Sequence, residues 1–212
     1  PAAWFHDGIW FDEWPDRHQT LLTVLALDPA RGRDARLGKD GKLGDYSAFV
    51  WFKLAKNGTI YCDADLDQRR PITQIVEDGL RLCGELQLRD AFAVEADAFQ
   101  SLIGGEFNRM ATERGQILPV YCVTSGGIAK EVRIRRLAPL LAGVDVLVKF
   151  RRGSRGASLL VAQLMDFRAP PHPQGYHDDG GDCMEMAMRM LMALMNGVNQ
   201  PGAPQPMAPV LR

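Results

Sequence analysis

Leu21-Leu22-Thr23-Val24-Leu25-Ala26-Leu27-Asp28-Pro29 decides how this chain folds. Apart from Thr23 the run is apolar up to Leu27, and an acid and a proline then stop it at once. A strand covered on both faces has no solvent side to alternate toward, so it reads as such a continuous run. Asp28 therefore marks the carboxyl end of a central strand. Downstream, Tyr46 to Leu54 and Thr59 to Ala64 read as two further strands joined by Asn57-Gly58, the strongest short hairpin signal. Pro71 to Leu86 spaces its apolar residues helically, with Pro at the tolerated first position. A short strand at Ala91 to Glu95, a helix from Ala96 to about Arg114 and a strand at Ile117 to Cys122 follow. A helix from about Ile128 to Leu141, an apolar segment at Val144 to Val148, and helices at Ser158 to Phe167 and Asp182 to Asn196 complete the series. Three strands in a meander followed by alternating helix and strand predict an α/β fold: a mixed sheet, half antiparallel and half parallel, flanked by helices.

The 212 residues are 46% apolar and 24% charged, which suits one soluble globular domain. A formal net charge of -1 excludes a uniformly basic nucleic-acid binder, although it says nothing of local charge. No apolar run reaches the roughly 18 residues of a membrane span, and no basic-then-apolar leader opens the chain, so a soluble, unsecreted protein is expected. Cys62, Cys83, Cys122 and Cys183 are far apart without a CxxC pair, which points to reduced thiols rather than a zinc cluster or disulfide scaffold. Residues 1–20, rich in Trp and Phe, read as a linker or docking segment, 21–196 as the folded domain, and the Pro-rich 197–212 as a disordered tail.

Asp28 and Glu95 end the first and fourth predicted strands, and Asp178-Asp179 precedes the last long helix. Functional crevices in open α/β sheets lie beyond the carboxyl ends of neighbouring strands, so adjacency of those two strands would bring Asp28 and Glu95 into one crevice. Crowded carboxylates need protons or cations to offset their repulsion, which makes such a cluster suited to Mg²⁺ or Mn²⁺. Two ions could activate water and stabilise the leaving oxygen of a phosphodiester. His177 is expected to support a carboxylate rather than bind metal directly. Asp45 could face the site from the second strand. Asp182-Cys183-Met184-Glu185 has the spacing of a capping box, which would make Asp182 a helix cap.

Leu25-Ala26-Leu27-Asp28-Pro29-Ala30, Gly44-Asp45-Tyr46-Ser47, Val94-Glu95-Ala96-Asp97-Ala98-Phe99-Gln100 and His177-Asp178-Asp179-Gly180-Gly181-Asp182 together resemble the nuclease domain of phage large terminase subunits. The resemblance implies an RNase H-like fold and a two-metal endonuclease that cuts double-stranded DNA during viral genome packaging in the cytoplasm of the infected host. By position, Asp28 and Glu95 match the first- and fourth-strand acids, and Asp178 and Asp179 the acidic pair of the last motif. Asp182 stands where the family's pattern differs, and its place is a supporting one. The family also implies an N-terminal ATPase domain, a portal and a small terminase subunit as partners. No phosphate loop is visible, because Gly32 to Asp40 has the wrong spacing and leads to a strand. The start at Pro1 fits a nuclease domain excised from a longer chain.

From Lys130 to Arg155 eight basic residues face only Glu131 and Asp145. Lys130, Arg133 and Arg136, with Arg151, Arg152 and Arg155 in a Gly-flanked loop, are expected to follow phosphates without reading bases. The Met-rich last helix is expected to pack in the core. Two other functions fit the same features. One is a DNA- and portal-docking module with little catalysis of its own, and the other is a different RNase H-like enzyme such as a junction resolvase or transposase.

Overall fold

The computed structural model describes residues 4–29, 46–68, 70–96, 103–116, 118–124, 126–142, 146–168, 176–197 and 205–206. Its strands are β1 (Trp10–Phe11), β2 (Thr20–Asp28), β3 (Ser47–Ala55), β4 (Ile60–Asp67), β5 (Ala91–Glu95), β6 (Val120–Val123), β7 (Val148–Arg151) and β8 (Gln205–Pro206). Its helices are α1 (Ile72–Glu85), α2 (Gly104–Glu113), α3 (Lys130–Arg135), α4 (Ala138–Leu141), α5 (Arg155–Asp166) and α6 (Asp179–Asn196). The sheet runs β1-β7-β4-β3-β2-β5-β6-β8. β2, β3 and β4 form the expected antiparallel meander. β5 pairs parallel with β2, and β6 parallel with β5, so the mixed α/β architecture is as predicted.

Alternation along the central strands divides the core in two. Leu25, Leu27, Phe49, Phe92 and Val94 pack on Ile75, Val76, Leu80 and Phe107 of α1 and α2. Val24, Ala26, Val50 and Phe52 face Leu160, Val161, Met184 and Met188 of α5 and α6. A strand between two helical layers must be apolar on both sides, which is why Val24 to Leu27 shows no period. Met184, Met186, Met188 and Met190 are buried as expected of core filler, whereas Met192 and Met195 are exposed.

Several predicted bounds shift for physical reasons. The expected helix from Ile128 to Leu141 is two short helices, α3 and α4. Pro139 lacks an amide hydrogen and sits in the first turn of α4, so the ladder restarts there. β7 extends into Lys149 and Arg151, and α5 begins at Arg155, so Arg151 and Arg155 belong to a strand end and a helix start.

The largest correction concerns α6, which begins at Asp179, one turn before Asp182. The Asp182 amide donates to the Asp178 carbonyl, so the capping-box reading of Asp182 does not hold. Gly180 explains why the helix starts there: a Cβ would lie 2.7 Å from Gln163 Oε1 and 2.7 Å from Leu66 Cδ2. Close approach of α6 to β4 and α5 needs glycine at that position, overriding its poor helix propensity. At the sequence ends, Trp10 and Phe11 pair with Phe150 and Arg151 of β7. Gly197 caps α6, Gln205 and Pro206 pair with β6, and the rest of the expected tail lies outside the described residues.

Candidate functional site

Leu27 is in register with Val94 across the parallel β2–β5 pair, so Asp28 and Glu95 leave the sheet side by side. α6 packs across β2 and β3 and carries its first turn over the same strand ends. Asp28, Glu95 and Asp182 consequently line one pocket with Arg133 and Arg189, closed by Val123 and Met186. Asp182, Met186 and Arg189 are spaced at i, i+4 and i+7, so one face of α6 supplies three lining residues. The third acid of the pocket is thus Asp182, rather than either member of the expected Asp178-Asp179 pair.

Charge is crowded here. Burial, then the Asp182 carboxylate, pushes the Asp28 carboxyl well above the usual aspartate range, with Glu95 and Asp179 adding and Lys130 opposing. Burial also raises Asp182, against the pull of Arg133 and Lys130. Arg133 Nη2 donates to Asp182 Oδ2 at 3.0 Å, and its Nη1 stands 2.8 Å from Oδ1 as an ion pair. Arg189 donates to the Thr124 carbonyl at 2.5 Å and reaches Glu185 at 3.3 Å, while burial lowers its pKa. Among the described residues no three His, Cys, Asp or Glu side chains stand close enough to hold a metal ion as they lie. Oxygen donors from Asp28, Glu95 and Asp182 nevertheless share one pocket and lie among basic side chains, a donor set that fits a hard divalent cation.

Asp178 and Asp179 flank this pocket. Lys130 Nζ lies 2.6 Å from Asp178 Oδ1, 3.4 Å from Asp179 Oδ1 and 3.9 Å from Asp182 Oδ2. Burial pulls the Lys130 ammonium down, but Asp179, Asp178 and Asp182 more than reverse that, so its proton is held above the ordinary lysine range. The Tyr46 amide donates to Asp179 Oδ2 at 3.0 Å and ties the first turn of α6 to the start of β3. His177 packs edge-on against Tyr46, with Nε2 3.2 Å from Gln68 Nε2. Its Nδ1 lies 3.9 Å from Asp179 Oδ2. Asp45 lies outside the described residues.

The basic stretch separates into two places. Arg133 lines the acid pocket and Lys130 pairs with the acids that flank it, with Arg136 exposed one residue past α3. Arg151 lies 3.4 Å from Asp63 and stacks over Trp14, while Arg152 pairs with Asp7 and Asp12 at 3.1 Å each. Arg155 is exposed at the start of α5. Arg189 was not apparent from sequence. Its only signal is the i, i+4 spacing from Glu185 and i, i+7 from Asp182 on one helix.

No family model matches this sequence, and no curated protein matches it. Among solved structures, the large terminase of bacteriophage HK97 superposes with a TM-score of 0.52 at 14% identity, over 78% of this chain and 38% of the terminase. The fold is RNase H-like. RuvC of Thermus thermophilus aligns over 88% of this chain and all of its own, at 14% identity and a TM-score of 0.45. This chain therefore spans little more than a third of the terminase it superposes on. No helix among the described residues is long and apolar enough to cross a membrane.

Proposed function

We propose that this RNase H-like domain is a divalent-metal-dependent endonuclease acting on double-stranded DNA, with the Asp28–Glu95–Asp182 pocket as its active site. One observation carries the reading: acids from three separate elements meet at the carboxyl ends of two adjacent parallel strands, where burial makes the charge of Asp28 and Asp182 unfavourable unless a cation offsets it. Mg²⁺ or Mn²⁺, bound in a pair, would supply an activated water and stabilise the leaving oxygen. The chain's own residues do the rest. Asp28 and Glu95 are held by the sheet, Asp182 by the α6 backbone and a hydrogen bond from Arg133, and Asp179 by the Tyr46 amide. Asp178 and Asp179 form the outer edge of the donor set, and His177 packs beside Tyr46 with its Nδ1 3.9 Å from Asp179.

Exposed Arg136 and Arg155 would contact phosphates around the pocket, giving affinity without sequence reading. Likeness of the motifs to phage large terminases supports genome packaging as the setting, with an ATPase domain, a portal and a small subunit as partners. Mn²⁺-dependent cleavage of supercoiled plasmid by the wild type, set against Asp28→Asn and Glu95→Gln, tests the assignment. Loss of cutting in both variants is expected, and undiminished cutting in both would reject the site. A branched duplex in the same assay separates packaging chemistry from junction resolution, since equal cutting of linear DNA is expected here.

A further inference from the structure

We propose that Lys130 is a built-in counter-ion to the outer carboxylates of this site, Asp178, Asp179 and Asp182, so that a divalent cation entering beside them must compete with it and the metal affinity of the site is set by that competition. The proposal rests on the metal-dependent reading above. Its basis is the position of one ammonium within 4.0 Å of three carboxylates, those of Asp178, Asp179 and Asp182. Like charges packed into one helical turn repel, and the positive end of the helix offsets only part of that repulsion. A cation from another element offsets the remainder. The Lys130 side chain is 29% exposed, so it has a path to water, while its three partners are only 12–15% exposed.

Arg133 makes a useful contrast. Its guanidinium donates to Asp182 Oδ2 at 3.0 Å, stands 2.8 Å from Oδ1 and is only 14% exposed, so it is a fixed partner. Lys130 presents a compact point charge with three donors on a flexible four-carbon stem, the side chain that most resembles a small hydrated cation. Its departure leaves Asp179 held by the Tyr46 amide and Asp182 held by Arg133, so the donors stay in place. The lysine thus keeps the carboxylates together in the metal-free protein and yields them to a stronger competitor.

Mn²⁺ binding to the full chain, followed by titration calorimetry and by the metal-induced rise in Tm, tests this without relying on cleavage. Lys130→Met should melt lower than wild type in EDTA, bind Mn²⁺ about tenfold more tightly or better, and gain more Tm from Mn²⁺ than wild type does. If Lys130→Met does not fold, Lys130→Gln keeps the stem and one donor while removing the charge, and the same outcome is expected. Equal or weaker Mn²⁺ binding by the variant would overturn the proposal. So would unchanged Mn²⁺ binding with weakened duplex binding, which would make Lys130 a phosphate contact. If neither wild type nor variant binds Mn²⁺, the metal-dependent reading itself fails, and that result is distinct from wild-type binding that the substitution leaves unmoved.

Discussion

Two aspartates of the same sheet, Asp63 on β4 and Asp28 on β2, are both raised in pKa chiefly by burial, yet they do opposite things. Asp63 is 3% exposed and well provided for: Ser154 Oγ donates to Oδ1 at 2.5 Å, the Ala64 amide donates at 2.8 Å, and Arg151 lies 3.4 Å from Oδ2. These donors oppose the shift, and Ser154 also caps α5 through the Ala157 amide. Asp28 instead has Asp182, Glu95 and Asp179 as neighbours, which add to its shift, with Lys130 working against them. A buried carboxylate whose donors come from the fold is a structural clamp. One whose neighbours are other carboxylates has been left for something else to neutralise, at a cost in stability that the fold tolerates.

The sharpest break between the two should come from removing charge. Asp28→Asn is expected to lower Mn²⁺-dependent duplex cleavage by about 10³-fold or more, since several kcal/mol of charge stabilisation disappear. Calorimetric melting of the same variant without metal should show it at least as stable as wild type. Asp63→Ala should do the reverse. It strands the Ser154 hydroxyl, the Ala64 amide and Arg151, and about 2–3 kcal/mol of stability should be lost in denaturant titration.

Acid–base behaviour sharpens the comparison. Asp28's folded pKa lies above its unfolded value, so the folded state binds the extra proton. In the metal-free protein its contribution therefore falls as pH rises from the ordinary aspartate range through that raised pKa. Asp28→Asn should flatten this part of the stability profile. A variant whose profile is as steep as wild type would show that Asp28 is not the group responsible. The smallest effect concerns the surface: Arg136→Ala and Arg155→Ala should each weaken duplex binding modestly and reduce the salt slope by about 0.9 per lost phosphate contact. Fluorescence anisotropy across a salt series reads both quantities.

Most of the architecture was legible because it rests on strong local signals. Val24 to Leu27 shows the double burial of β2, Asn57-Gly58 shows the hairpin, and the helix–strand alternation after Pro71 shows the parallel half. Placing Asp28 beside Glu95 needed only the adjacency of β2 and β5. Asp182 was harder, because Gly180-Gly181 reads locally as a loop and Asp182 to Glu185 reads locally as a cap. The helix begins a turn earlier through a tertiary requirement, the tight packing of Gly180 on Leu66 and Gln163, which no local pattern carries. Lys130 and Arg133 were read as phosphate contacts, and their pairing with Asp178 and Asp182 was not visible because a basic run does not reveal which acids fold against it. Arg151 and Arg152 were opaque for the same reason: their partners Asp63, Asp7 and Asp12 come from distant parts of the chain.

In the proposed reaction the pocket acids, and not buried aspartates in general, perform the chemistry. Side-by-side duplex cleavage in Mn²⁺ by Asp182→Asn and Asp63→Asn, each compared at a temperature where it is folded, tests it most directly. Cutting should be lost in Asp182→Asn and kept near the wild-type rate in Asp63→Asn. Full activity in Asp182→Asn would contradict the assignment of the pocket.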